Sequence, residues 1–309
     1  MKVVVALGGN ALLERGEPPD ADIQERHVVR AAAALAPLLR DHQLIITHGN
    51  GPQVGLLALE SAGDPALRRP YPFDVLGAQT QGMIGYWLVQ ALEAACPGRR
   101  AACLVCRTLV KADDPAFARP TKFVGPVYAE AEARRLAAAR GWDIRQDGRL
   151  WRRVVPSPEP AALLELDMIE MLASRGVIVV CAGGGGIPVV PDDGGGLRGV
   201  EAVVDKDLTA ALLAAAVRAD VLLMLTDVAA VQDGYGTPAA RPIGRITAAQ
   251  LRSRIASGAF PAGSMGPKAE AACRFAAAGT GGMAAIGRLE DAAALLAGIA
   301  GTVVVMEGA

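Results

Sequence analysis

The sequence predicts an α/β fold, a three-layer αβα sandwich in which helices cover both faces of a mostly parallel sheet. Three observations carry this. Short apolar runs recur along the chain with little polar interruption, the pattern of strands buried on both faces. Longer stretches with helical spacing separate them. Three of the strand-like runs end in glycine-rich turns, at the strand ends where such sheets bind ligands.

The elements follow in order. Val3–Leu7 is a near-continuous apolar strand that stops at Gly8-Gly9-Asn10. Ile23–Arg40 has helical spacing. Leu44–Thr47 is the next strand, ending at His48-Gly49-Asn50-Gly51-Pro52, and helices follow over Pro52–Glu60 and Val75–Ala95. Ala101–Cys106 reads as a buried strand, Ala161–Ala173 as a helix and Val177–Cys181 as a strand. Leu208–Val217 is a helix and Val221–Leu225 a strand. Pro267–Ala278 (helix), Met283–Ile286 (strand), Ala292–Ala297 (helix) and Thr302–Val305 (strand) complete the alternation. Two stretches break it. Asp113–Pro156 is rich in Arg and Pro, contains a short helix at Glu130–Arg140, and reads as an insertion over the sheet's edge. Gly183–Gly199 is so dense in glycine that no regular element is expected there.

With 309 residues, 52% of them hydrophobic, the chain can bury a full core without disulfide or metal staples. The expected organisation is one domain over residues 1–309, with 113–156 as a protruding subdomain. A net charge of -1 argues against a nucleic-acid binder, which needs a basic excess to neutralise phosphates. No apolar run reaches the ~18 residues of a membrane span. The opening apolar stretch is too short for a signal peptide, so the cytoplasm is the expected location. The five cysteines are odd in number and scattered, a poor disulfide framework. Cys103 and Cys106 form a CxxC inside an apolar run, which favours core packing. His27, His42 and His48 lack zinc-site spacing, so no metal site is expected.

Of the 31 basic residues only five are lysines: Lys2, Lys111, Lys122, Lys206 and Lys268. Lys206 and Lys268 each open a helix beside a glycine-bearing segment, and Lys122 lies in Pro120-Thr121-Lys122 of the insertion. A lysine at a helix start opposes the helix dipole, an arrangement that a bound polyanion offsets. Glycine turns at strand ends let main-chain N–H groups approach an anion. No P-loop and no dinucleotide fingerprint occurs. The combination points to phosphoryl transfer, a reaction that asks for positioned positive charge and little covalent chemistry.

These segments resemble carbamate kinases of the amino acid kinase superfamily. The resemblance runs over nearly the whole chain. It is strongest at Ala6-Leu7-Gly8-Gly9-Asn10-Ala11-Leu12, His48-Gly49-Asn50-Gly51-Pro52-Gln53-Val54-Gly55 and Gln79-Thr80-Gln81-Gly82. Gly183-Gly184-Gly185-Gly186-Ile187-Pro188, Val203-Val204-Asp205-Lys206-Asp207 and Gly263-Ser264-Met265-Gly266-Pro267-Lys268 extend it. Pro120-Thr121-Lys122 and Val154-Val155-Pro156-Ser157-Pro158 are the pieces specific to carbamate kinases. Phe123, Ala229 and Gln232 depart from the family's usual residues. The resemblance implies an eight-stranded sheet, a homodimer, and reversible transfer of a phosphoryl group between carbamoyl phosphate and ADP, giving ATP and carbamate. Magnesium would accompany the nucleotide.

On this reading Lys206 and Lys268 flank the moving phosphoryl group, and Asp207 holds the two lysines oriented. N–H groups of Gly8, Gly9, Gly49 and Gly51, with Asn10 and Asn50, receive carbamate or its phosphate. Lys122 closes the site from the insertion. Tyr235 faces adenine, and Met265 lies with Lys206 and Lys268 on the nucleotide side. His48 is expected to order its turn. Gln81 and Tyr86 either line the crevice or pack beneath it. The alternatives are a related kinase of another carboxylate or phosphate, and a binding protein that keeps the fold without turnover.

Overall fold

The computed structural model describes residues 1–14, 16–260, 265–279 and 281–307; the side chain of Asn10 lies outside the described set. Eight strands form the main sheet: β1 (Lys2–Leu7), β2 (Gln43–His48), β3 (Ala101–Cys103), β4 (Ile178–Val180), β5 (Val221–Thr226), β6 (Arg245–Thr247), β7 (Met283–Arg288) and β8 (Thr302–Val305). Their order is β6-β8-β7-β5-β1-β2-β4-β3. Neighbours are parallel except β7 and β8. The chain lays β2, β4 and β3 on one side of β1 and returns to place β5 on the other. The order therefore reverses at β1, and a ligand crevice is expected outside the carboxyl ends of β1, β2 and β5.

The helices are α1 (Ala21–Asp41), α2 (Gly51–Gly63), α3 (Phe73–Ala95), α4 (Glu130–Arg140), α5 (Leu166–Ser174), α6 (Lys206–Ala216), α7 (Ala248–Ala256), α8 (Met265–Ala276) and α9 (Ala292–Leu296). Successive strand residues point to opposite faces, and both faces are covered. Val3, Val5 and Leu7 pack with Leu35 of α1, Leu88 of α3 and Leu295 of α9. Val4 and Ala6 join the opposite layer, with Ile169 of α5, Leu213 of α6, Leu251 of α7 and Phe275 of α8. Val3 through Leu7 are all 0% exposed. Burying such side chains is worth roughly 1.5–3 kcal/mol each, so β1 is a rigid base for the turn that follows it.

Residues 122–155 build a separate sheet. Strands Lys122–Tyr128, Leu150–Val155 and Asp143–Asp147 pair antiparallel, and α4 packs on them. This insertion is seated on helices of the main body. Its Val124 and Val155 pack with Val54 of α2 and with Phe73 and Leu76 of α3, helices that follow β2, a central strand. The approach to α2 is close enough that a Cβ on Gly55 would stand 2.5 Å from Gly125 Cα.

Several sequence boundaries are corrected. Ala101–Cys106 is not one strand. The chain leaves the main sheet after Cys103, and Arg107–Leu109 pairs with Ile187–Pro191 and Ala162–Leu163 in a second, four-stranded sheet. The helix expected from Ala161 accordingly starts only at Leu166. The segment Gly183–Gly199 does contain strands, Ile187–Pro191 and Leu197–Gly199. All its glycines but Gly199, which ends the second strand, lie in the two turns, and the run between the turns is β-branched enough to pair. Helix α7 carries no expected counterpart. It begins with a reciprocal cap between Thr247 and Gln250.

Candidate active site

Three of the five lysines, Lys122, Lys206 and Lys268, converge. Asp205 is the N-cap of α6, and its Oδ1 accepts the N–H groups of Asp207 (2.9 Å) and Leu208 (3.2 Å). That cap fixes the first turn, which presents Lys206 and Asp207. Lys206 donates from Nζ to Asp207 Oδ1 at 2.6 Å, and Lys268, in the first turn of α8, donates to Oδ2 at 3.0 Å. Lys122 donates to Asp205 Oδ2 at 2.6 Å. Three ammonium groups and two carboxylates thus share one place. Lys206 also overlies the β2 turn, its Cδ standing 3.4 Å from where a Gly49 Cβ would be.

The cluster is largely withdrawn from water: the Asp207 side chain is 5% exposed and that of Lys268 10%. Burial alone would raise the Asp207 carboxyl, but the ammonium groups of Lys206 and Lys268 more than reverse this and hold it well below the usual carboxylate value. Burial lowers Lys206, with repulsion from Lys268 adding to it against the pull of Asp207. For Lys268 burial is outweighed by Asp207, with Asp205 and Asp227 helping, and its pKa is raised. The Asp207 carboxylate favours the charged form of both lysines. An arriving polyanion finds positive charge already in place, which removes the reorganisation that water would require.

The glycine turns are partly corrected. The N–H of Gly8 donates to Leu225 O at 2.8 Å and that of Gly49 to Leu7 O at 2.9 Å. Both therefore continue the sheet ladder and have no proton left for an anion. Their role is steric. A Cβ on Gly49 would lie 2.8 Å from Gly9 N and 3.0 Å from its Cα, so the β1 and β2 turns touch because position 49 is glycine. Gly51 opens α2, where the first-turn N–H groups have no partner within the helix. Gly9 opens the short 3-10 turn Gly9–Ala11. The positions of these two are compatible with the donor role expected of them. Asn50 is 6% exposed and donates from Nδ2 to Thr80 Oγ1 at 2.9 Å, so its side chain braces the turn. The expected role of the Asn10 side chain lies outside the described residues, as do Gly263 and Ser264.

His48 behaves as a structural residue. Its Nδ1 lies 3.0 Å from Gly49 O; a carbonyl only accepts, so that nitrogen carries the proton. Burial lowers its pKa to about 4, with the Lys206 charge adding. Gln81 packs beneath the site, exchanging two hydrogen bonds with the main chain of Cys106. Tyr86 is 58% exposed and Tyr235 61% exposed. Tyr235 lies at the Gly234–Thr237 turn and is not among the side chains the cluster gathers. Met265 starts α8 and packs against the core. Sequence reasoning gave no role to Asp205 or Asp227; an Asp immediately before a helix is a capping signal that could have found the first.

Comparison with known proteins decides the family. The amino acid kinase family profile matches residues 1–284. A carbamate kinase of Rhizobium meliloti is 50% identical over 308 residues, covering 98% of this chain and 93% of its own. One from Escherichia coli K12 is 48% identical over 300 residues, covering 97% and 98%. A solved carbamate kinase of Giardia lamblia, bound to AMP-PNP, superposes with a TM-score of 0.90 at 39% identity, covering 99% and 98%. The chain belongs to the carbamate kinases of the amino acid kinase family. A carbamate kinase is a phosphotransferase, and in this carbamate kinase the fixed positive charge that such chemistry needs stands at the carboxyl end of the central strands.

Proposed function

We propose that the enzyme transfers a phosphoryl group reversibly between carbamoyl phosphate and ADP at the Lys206–Asp207–Lys268 cluster. The products are ATP and carbamate, which decays to ammonia and carbon dioxide. The observation that carries this reading is one buried carboxylate holding two ammonium groups beside the paired glycine turns of β1 and β2.

In the direction of carbamate phosphorylation, a carbamate oxygen attacks the γ-phosphorus. The new O–P bond forms as the bond from that phosphorus to the β–γ bridging oxygen breaks, and ADP leaves with the electron pair. The nucleophile is already an anion, so no base has to remove a proton. This suits a site whose histidine is neutral and already engaged through Nδ1. The obstacle is repulsion between two anions. Lys206 and Lys268 flank the moving group and offset charge on its oxygens, and Asp207 keeps both in place. Main-chain N–H groups of Gly9 and Gly51, with Asn10, hold the carbamate end, and Asn50 braces the β2 turn. Lys122 approaches from the 113–156 accessory unit of this one-domain chain and completes the enclosure. Tyr235 and Met265 take the adenine side.

Magnesium enters as part of the nucleotide substrate, held by phosphate oxygens. Among the described residues no group of three His, Cys, Asp or Glu side chains is placed to hold a metal alone. The family resemblance supports a homodimer. The five free cysteines and the lack of any described helix long and apolar enough to cross a membrane are consistent with work in the cytoplasm.

A direct test is ATP formation by the purified protein from ADP with carbamoyl phosphate, and separately with acetyl phosphate. Rapid ATP formation from carbamoyl phosphate, with far less from acetyl phosphate, is expected. Tight ADP binding without ATP would identify a binding protein, and preference for another acyl phosphate would identify a related kinase.

A further inference from the structure

We propose that Asp205 is a positioning residue, which sets Lys122 over the phosphoryl-transfer cluster and so governs how the enzyme holds carbamoyl phosphate. This rests on the reading of Lys122 as a group that contacts substrate. The two oxygens of Asp205 are divided. Oδ1 caps α6 through the N–H groups of Asp207 and Leu208, and Oδ2 receives Lys122 Nζ at 2.6 Å. One carboxylate, its side chain 11% exposed, therefore refers Lys122 to the helix that carries Lys206 and Asp207.

Lys122 needs such a reference because its strand belongs to a sheet separate from the main one. Other ties join that unit to the body. Val203 N–H donates to Pro156 O at 3.0 Å. The guanidinium of Arg153 lies over the Phe73 ring at 4.8 Å and reaches Glu201 at 3.5 Å. Those contacts end on α3 or on the 200–204 segment. Among the described residues, the Lys122–Asp205 pair is the tie that ends on the cap of α6.

Simple electrostatics makes the opposite prediction, which gives the proposal a sign. Asp205 is a negative charge beside a site for anions. If its field were what mattered, removing the charge would tighten carbamoyl phosphate binding. If its function is to place Lys122, removing the charge weakens binding.

The test is a double-mutant cycle on the full chain with D205N, K122M and the double variant. Asn caps a helix as well as Asp does, so D205N keeps the start of α6 and loses the charge toward Lys122. Equal thermal unfolding midpoints for D205N and the parent check this. K122M is expected to raise KM for carbamoyl phosphate about tenfold, and D205N to raise it by a similar factor with kcat changed less than about threefold, the scale of coupling between contacting residues. KM for ADP stays unchanged in D205N. The double variant is expected to be no worse than K122M. If K122M leaves KM unchanged, both the role of Lys122 and this inference fall. If K122M acts as expected but the D205N effect multiplies with it, or if D205N lowers KM, Lys122 keeps its role and the inference about Asp205 is overturned.

Discussion

Lys268 and Asp207 stand 61 positions apart in the chain and meet as a buried ion pair at 3.0 Å, with Lys206 on the other oxygen of the same carboxylate. The pairing sets what Asp207 is for. Without its charge two ammonium groups are left buried side by side. Asp207→Asn should therefore cost about 3–5 kcal/mol of stability, the scale for breaking a buried pair from one side. ADP or ATP should restore more of the unfolding midpoint in this variant than in the parent, because their phosphates replace the missing negative charge. Thermal unfolding with and without nucleotide checks both statements. Because the folded-state pKa of Asp207 is depressed, its contribution is present above the ordinary carboxylate value near ~4 and is lost as pH falls through the folded value.

His48 gives a second pH signature. Burial lowers its pKa to about 4, against ~6.5 when unfolded. Between these values the unfolded chain binds a proton that the folded one refuses. Stability should thus fall as pH drops from about 6.5 to 4, by about 3 kcal/mol from this group. His48→Asn should flatten that part of the profile while carboxylate titration remains. Denaturant unfolding at pH 7, 5.5 and 4.5 compares the two slopes; parallel slopes would show that His48 takes a proton in the folded state.

Gly49 and Gly51 are two residues apart and should answer substitution differently. A Cβ at Gly49 meets the Gly9 backbone at 2.8 and 3.0 Å, whereas a Cβ at Gly51 meets nothing within 4 Å. Gly49→Ala is expected to destabilise by about 1–3 kcal/mol, the usual cost of overpacking, and to lose most activity as the β1 and β2 turns separate. Gly51→Ala, at the first position of α2, should unfold at or above the parent's midpoint. Matched unfolding curves and turnover numbers distinguish the two.

Much of this was legible in the sequence because the central strands are buried on both faces. Val3–Leu7 and Val221–Leu225 can be little else, and the lysines stood out because so few occur. The second sheet was hidden. Arg107–Leu109 and Ala162–Leu163 are too short to declare themselves, and they pair only because the chain brings together residues at least 53 positions apart. The strand Ile187–Pro191 was obscured by the glycines around it. The donors of Gly8 and Gly49 were misread for a related reason. A glycine after a strand looks the same in sequence whether its N–H faces a ligand or completes the ladder, and only the register with Leu225 and Leu7 decides. Asp205 was in view, but its second oxygen is assigned by Lys122, a contact no local pattern encodes.

The thiols should be inert for two different reasons. Half-buried Cys103 is raised to about 11 by burial, with the neighbouring Cys106 adding. Cys106, whose pKa is lowered by its hydrogen bond with Cys181, is shielded with Cys181 and Cys273 by exposures of 1% or less. The native enzyme at pH 8 should leave these four unmodified by a thiol reagent until it unfolds, and turnover should be the same with and without reductant. Labelling followed by peptide mapping checks this; rapid modification of Cys103 or Cys106 would mean that the CxxC segment opens in the native state.

The most direct measurement is the turnover number for ATP formation from ADP and carbamoyl phosphate in Lys206→Ala and Lys268→Ala, with folding confirmed by circular dichroism. If these ammonium groups stabilise the moving phosphoryl group, each substitution lowers kcat by on the order of 10²–10³, the effect of losing one transition-state donor. Folded variants that both turn over at near-parent rates would contradict the account.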